Sequence, residues 1–402
     1  MKKHLNNPDK CTACTVCVAH CPVAAATPNF RGPKMVGPAL ERMRLSQDDY
    51  EPSLDYCTNC KNCDIACPSG VPISTLNMLA RAKYYKSFKP KLRDRLLSHG
   101  ERMGKLSESL PAVFTNMGMA IGRKLGLMDL VGISDKAPIP HFVGKSFIKQ
   151  FKMLRQQSYP DKVVFYVGCY INFNDPQVGL DIVAVMQANK YEVIVDEAFA
   201  CCGSPLIVNG FFDEAKQNVH QNTQTLQKWI DLGYPIIMGC TSCLLMLKQE
   251  YQELFASEQV NENAKHLYDA SEFLLKLHDE GRLNTNFSLL NERYLYHAPC
   301  HLRVQGMGLP ALDLLGMVPG PTTQDVDAGC CGISGSYGLK ADKYDIAMRI
   351  GRKLFDKIKA SKIDAVISEC GTCRLQIEHG SGATTCHPLS VLRRAYEKNN
   401  QT

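Results

Sequence analysis

Apolar and polar positions along the 402 residues follow two regimes. From residue 162 onwards, short β-branched and aromatic runs alternate with longer segments of helical period. KVVFYVGC (162–169) predicts a strand, GLDIVAVMQAN (179–189) a helix, and YEVIVDEAFACC (191–202) another strand. FFDEAKQNVHQNTQTLQKWIDLG (211–233) predicts a long helix, and PIIMGCTSC (235–243) a strand. The same order returns in RYLYHAPC (293–300), ALDLLGMV (311–318), ADKYDIAMRIGRKLFDKIKAS (341–361) and IDAVISECGTC (363–373). Strands alternating with helices predict an open α/β sheet in each half. Nearer the N-terminus, ALERMRL (39–45) and STLNMLARAKYYK (74–86) predict short helices, the second capped by Ser74. Between 142 and 157, Val143, Phe147, Phe151 and Leu154 share one helical face, while Lys145, Lys149, Lys152 and Arg155 occupy much of the rest.

Composition changes this picture in two places. The chain is 45% hydrophobic and 21% charged, ordinary globular values, and its length suits roughly two to four domains. The net charge of +6 is unevenly spread: residues 81–160 carry 16 Lys/Arg against 5 Asp/Glu. This basic segment holds both the amphipathic stretch and the apolar patch MGMAIGRKLGLMDLVGI (117–133). Such a helix either lies in an anionic lipid surface or packs its apolar face on a neighbouring domain. No window reaches the ~20 consecutive apolar residues of a membrane-spanning helix. Positive charge confined to one segment, with no binding motif, argues against a nucleic-acid role.

The second change is nineteen cysteines. The opening residues 1–6 show neither an apolar core nor a cleavage site of a secretory signal, so a reducing compartment is expected, where thiols serve metals rather than disulfides. Eight cysteines form two copies of C-x2-C-x2-C-x3-C-P. They are Cys11, Cys14, Cys17 and Cys21 before Pro22, and Cys57, Cys60, Cys63 and Cys67 before Pro68. Zinc sites pair two C-x2-C knuckles across a longer spacer and have no use for the three-residue gap before proline. The run resembles the ligand motif of bacterial [4Fe–4S] ferredoxins, in which three thiolates serve one cluster and the fourth crosses to the other. Carried over by position, one [4Fe–4S] cluster takes Cys11, Cys14, Cys17 and Cys67, and the other takes Cys57, Cys60, Cys63 and Cys21. The long spacer and the helical segment 74–86 resemble the helical ferredoxin domain of respiratory iron–sulfur subunits.

Ten further cysteines form a tandem repeat. Cys169, Cys201, Cys202, Cys240 and Cys243 match Cys300, Cys330, Cys331, Cys370 and Cys373 at offsets of 131, 129 and 130 residues. All lie at or beyond predicted strand carboxyl ends, where open α/β sheets bind ligands. Gly203 and Gly332 follow the cysteine pairs and are expected to let backbone approach a bulky group. The alternatives are a thiol–disulfide site or a mononuclear metal at each C-x2-C. His297 and His301 flank Cys300 and are read as local hydrogen-bonding groups, and Cys386 as a structural thiol. The glycines of GCCGISGSYG (329–338) do not fit a nucleotide fingerprint, and no flavin-binding signature appears.

The pentads resemble the CCG, or cysteine-rich, domain of disulfide reductase and of glycolate and lactate oxidation subunits, where five cysteines ligate an unusual iron–sulfur centre. With RGPKMVGP (31–38), VGCYINFNDP (167–176), CCGSPLIVNGF (201–211) and CCGISGSYGLK (330–340), nearly the whole chain resembles the C subunits of anaerobic glycerol-3-phosphate dehydrogenases. The expected class is α+β multidomain. It comprises a two-cluster ferredoxin domain (1–88), a basic linker (89–160), and α/β CCG domains over 161–290 and 291–397. The resemblance implies two [4Fe–4S] clusters, one or two further iron–sulfur centres and no flavin. It implies a non-catalytic relay at the cytoplasmic face of the inner membrane, peripherally attached, between flavin-containing A/B partners and a quinone, menaquinone. The alternatives are a glycolate or lactate oxidising complex and a catalytic disulfide reductase, in which the pentads themselves cleave an S–S bond.

Overall fold

A computed structural model describes residues 7–44, 51–85, 90–109 and 112–397. Helix and sheet are mixed, with a helical N-terminal part followed by two parallel sheets. The first six residues, Leu45, Lys86 and the boundary at 88/89 fall outside the described residues.

The N-terminal part builds the same short unit twice. A proline-initiated 3-10 turn (Pro8–Lys10, then Pro52–Tyr56) leads into each cysteine loop. Asn7 and Glu51 cap these turns by accepting from the amides of Asp9 (2.8 Å) and Ser53 (3.1 Å). Each loop then enters a one-turn helix, Val16–Ala19 or Asn62–Ile65. The helix expected from Ser74 starts one residue earlier, at Ile73, and runs to Tyr85. Ser74 is therefore no cap; its amide and hydroxyl both donate to the Asp64 carboxylate.

The first sheet has the order β2-β1-β3-β4, from β1 (Asp161–Tyr166), β2 (Tyr191–Ile194), β3 (Ile236–Met238) and β4 (Leu267–Asp269). The second repeats it as β6-β5-β7-β8, from β5 (Arg293–Tyr296), β6 (Thr322–Asp325), β7 (Ala365–Ile367) and β8 (Thr385–Cys386). Every pairing is parallel. The chain reverses its direction of travel between β1 and β3, and again between β5 and β7. Those positions open the crevices in which such sheets hold ligands.

Side-chain alternation sorts each strand between two cores. Val164, Tyr166, Ile236 and Met238 face a core built mainly by the first repeat, and Leu295 and Val366 one built mainly by the second. Val163, Phe165 and Ile237 share a third core with Tyr294, Tyr296 and Ile367. Helix Pro176–Ala188 packs on Pro388–Glu397, and Ala270–Asp279 on Pro310–Gly316. The repeat maps one pair onto the other, so the halves meet about a pseudo-twofold axis, as in an isologous dimer.

Residues 90–109 and 112–160 form a largely helical arm that touches both repeats. Arg93 pairs with Asp342 (2.6 Å) and Asp94 with Lys340 (2.9 Å), both in the second repeat. The expected amphipathic helix over 142–157 is only the turn Phe147–Phe151. Phe147 is fully buried against Phe165 in the shared core, with Gly179 leaving room for its ring. That burial is worth about 1.5–3 kcal/mol, so Phe147 packs on protein and is unavailable to lipid, while Leu154 at the end of the stretch stays 43% exposed.

Candidate functional site

Local backbone aims the eight N-terminal thiols. In both loops the residues on either side of the second cysteine adopt positive φ: Ala13 (58°) and Thr15 (66°), then Asn59 (56°) and Lys61 (59°). The left-handed region costs a non-glycine residue about 1–2 kcal/mol, and paying it four times at matched positions marks a conformation the site requires. The turned loops bring the crossover pair together. Cys17 is raised by burial and then by the neighbouring thiols Cys11, Cys67 and Cys14. Cys63 is raised by burial, Asp64, Cys60, Cys57 and Cys21. Cys67 thus sits with the first motif and Cys21 with the second. Backbone and amide donors point at sulfur: Ala24 N to Cys21 Sγ (3.5 Å), Val71 N to Cys67 Sγ (3.3 Å) and Asn77 Nδ2 to Cys57 Sγ (3.4 Å). Crowded thiols that repel one another's ionisation, yet receive N–H donors, suit a soft, positively charged iron–sulfur core.

Each pentad gathers at the crevice of its sheet. Cys169 opens helix Cys169–Phe173 after β1, and Cys240 caps Thr241–Leu245 after β3. Cys300 and Cys370 take the same places after β5 and β7. The thiols contact in one order in both repeats. Cys169 meets Cys201, Cys202 meets Cys243, and Cys243 meets Cys240. Likewise Cys300 meets Cys330, Cys331 meets Cys373 at 3.2 Å, and Cys373 meets Cys370. Hydrogen bonds from Cys330 and Cys373 bring Cys331 down to about 6, and one from Cys373 brings Cys370 to about 6. Ten thiols so arranged form two donor sets that fit metal centres.

The flanking residues divide differently from the sequence reading. His301 does make local hydrogen bonds, to Ser242 Oγ (2.9 Å) and Asn59 O (3.2 Å). His297 does not: its Nε2 is buried without a partner, and its ring lies with Cys331 and Cys373 inside 4.8 Å. Burial holds it near 4, so the imidazole is neutral and free to act as a further donor to a bound centre. The repeat itself carries the signal for this difference, because the equivalent of His297 is Tyr166, whose hydroxyl donates to Ala200 O (2.7 Å). Gly332 was expected to make room for a bulky group. Its φ is +92°, and an added Cβ would instead collide with the Ala347 carbonyl, so the requirement comes from helix Tyr344–Lys359. Gly203 (φ +89°) meets nothing closer than Ala215 at 3.6 Å. Cys386 lies on edge strand β8 against the shared core, raised to about 11 by burial.

The four cysteine sets adjoin one another. One cavity is lined by Cys60 together with all five cysteines of the second pentad. The glycine-rich run closes this junction, Ser334 donating to Thr58 O (3.2 Å). Cys240 is lowered by a hydrogen bond with Cys243, against burial and the nearby Cys370 of the other repeat. Tyr170 lies over Gly371, while His301 bonds to Ser242, so equivalent elements of the two repeats meet reciprocally beside that junction.

A 4Fe-4S dicluster domain matches residues 7–71, and a cysteine-rich domain (CCG) matches 163–248 and 294–378. The chain is 35% identical over 393 residues to the C subunit of anaerobic glycerol-3-phosphate dehydrogenase from Escherichia coli, covering 96% of this chain and 98% of that one. It is 28% identical over 381 residues to the B subunit of fumarate reductase (CoM/CoB) from Methanothermobacter marburgensis, covering 92% of this chain and 67% of the relative. Lactate utilization protein A 2 of Bacillus cereus is 28% identical over 228 residues, covering 54% of this chain and 89% of the relative.

Proposed function

Because the chain belongs to the family of anaerobic glycerol-3-phosphate dehydrogenase C subunits, we propose that it passes electrons from flavin-containing partner proteins to a membrane quinone. It is an iron–sulfur electron-transfer subunit of that family. The observation that carries the finer reading is the adjacency of the four cysteine sets, with Cys60 against the second pentad and Cys370 against Cys240 of the first. Cys11, Cys14, Cys17 and Cys67 would hold one [4Fe–4S] cluster, and Cys57, Cys60, Cys63 and Cys21 the other. The two pentads would hold the further centres. Iron–sulfur clusters supply one-electron carriage, and a hydride from an alcohol must be taken by a flavin elsewhere. The residues of this chain would set the order of the sites, and nine of the eighteen ligand cysteines are buried.

The test is reconstitution with the flavoprotein partners. Glycerol 3-phosphate should reduce a soluble quinone only when this chain is present. Equal turnover without it, or turnover with lactate in place of glycerol 3-phosphate, would remove this reading. The lactate alternative is supported by a shorter match, over 54% of this chain.

Membrane attachment is proposed through the apolar patch around 117–133 rather than through the stretch 142–157. Among the described residues no helix is long and apolar enough to cross a membrane. Yet twelve of their sixteen exposed large apolar side chains lie between Leu92 and Leu154. Helix Ala112–Lys124 exposes Val113, Phe114, Met117 and Ile121, and Leu125, Leu127 and Leu130 continue the patch. A patch this concentrated, in the most basic segment of the chain, suits an anionic bilayer surface. Replacing Phe114 and Ile121 together by Asp should abolish co-flotation with anionic vesicles and leave iron content unchanged. Undiminished flotation would place the contact elsewhere.

A further inference from the structure

A pocket of about 330 Å³ opens beside the first pentad, and of those five cysteines only Cys169 and Cys201 reach its wall. Their equivalents in the second repeat are Cys300 and Cys330, which line the junction with Cys60. The face that the N-terminal module closes in one repeat therefore stands open in the other. One wall is aromatic, with Tyr166 and Phe199 edge to face at 5.1 Å. The opposite wall comes from the arm. Glu101 accepts from Cys201 N (2.9 Å) with one oxygen and from Lys105 Nζ (2.7 Å) with the other. Glu108 accepts from Ser146 N (3.1 Å) and pairs with Lys149 (3.3 Å). Leu106 and Met153, next in sequence to the lining residues Lys105 and Lys152, are 55% and 71% accessible.

We infer that this pocket receives the ring of the quinone, which makes the first repeat the terminal site and the second repeat the intermediate one. The inference deepens the relay reading and rests on it. The volume is at the lower end of ligand sites of about 300–1,000 Å³, sufficient for a ring head whose apolar tail follows the arm outward. Reducing the dione to the diol takes two electrons, withdrawn by the flavin-containing partner from its alcohol substrate, and two protons. The protons come from water admitted at the open mouth of the pocket. The two carbonyl groups become hydroxyl groups and no other bond breaks.

The experiment is photolabelling of the iron-loaded full chain with an azidoquinone, followed by peptide mapping. Label should fall within 101–108, 146–152 or 196–201 and be displaced by unlabelled quinone. Ile148→Trp, which fills the pocket, should weaken labelling roughly tenfold. Lys152→Trp, at an exposed rim position, should weaken it in the same direction without risk to folding, and iron content should stay unchanged in both. Label confined to the second repeat, or to helix Ala112–Lys124, would overturn the pocket while leaving the relay intact. No label anywhere, together with no quinone reduction by the assembled complex, would overturn both.

Discussion

Cys67→Ser is expected to empty the iron site of the first motif, and Cys21→Ser that of the second. The fourth cysteine of each run lies with the other run's first three, as the neighbours of Cys17 and Cys63 show. Each substitution should remove about four irons and one of the two cubane signals. The Cys67→Ser spectrum should then match that of Cys14→Ser, although position 14 lies in the other motif. If Cys67→Ser instead matched Cys60→Ser, the interlocked assignment would be wrong. Loss of either site should also loosen the fold here. Cys17, Cys63 and Cys67 share a small apolar cluster with Val71, Ile73 and Leu76, too few residues to hold the loops alone. The four left-handed residues around Cys14 and Cys60 have no glycine to ease them, so their strain must be offset by what the thiols bind.

The cysteine spacings made most of this architecture legible, because ligand motifs and a 130-residue repeat are local or periodic signals. The alternating strands and helices of both repeats were legible for the same reason. Three strands were not. β4 and β8 are only three and two residues long, and β6, Thr-Thr-Gln-Asp, lies on an edge with no apolar alternation to announce it. The stretch around Phe147 shows the opposite failure. Its periodicity was real, but an apolar face does not say whether protein or lipid covers it, and Phe165 and Gly179 decide that from elsewhere in the chain. Contacts between modules were beyond reach altogether. Nothing in the order of the sequence says that Cys60 adjoins the second pentad before the first, since that follows from how two pseudo-symmetric halves present one equivalent face each.

That docking depends on a charge, and Lys61→Met is expected to weaken it by about 3–5 kcal/mol. Lys61 is 2% exposed, and its Nζ lies 2.6 Å from Glu253 and 3.9 Å from Glu250, both in the first repeat. Burial alone would discharge the ammonium, but Glu250, Glu253 and Asp64 together raise its pKa. Removing it strands Glu250, itself 2% exposed, with only the Asn59 amide (2.5 Å) for company. A buried pair need not stabilise relative to an apolar one, so the loss should be largely recovered when Glu250→Gln and Glu253→Gln are added. The measurement is the first urea transition of the iron-loaded chain, read together with protease cleavage between the N-terminal module and the arm. Parent-like stability in Lys61→Met would show that the arm and the Ser334 contact suffice. The expected loss would instead locate the specificity of docking in Lys61, next to the thiol that meets the second pentad. Lys61 holds its left-handed backbone because the cysteine loop demands it, and that same turn sends its side chain across to the first repeat. One loop conformation thereby sets both the thiol geometry and the attachment, so a chain that folds the loop correctly also places Cys60 at its neighbour.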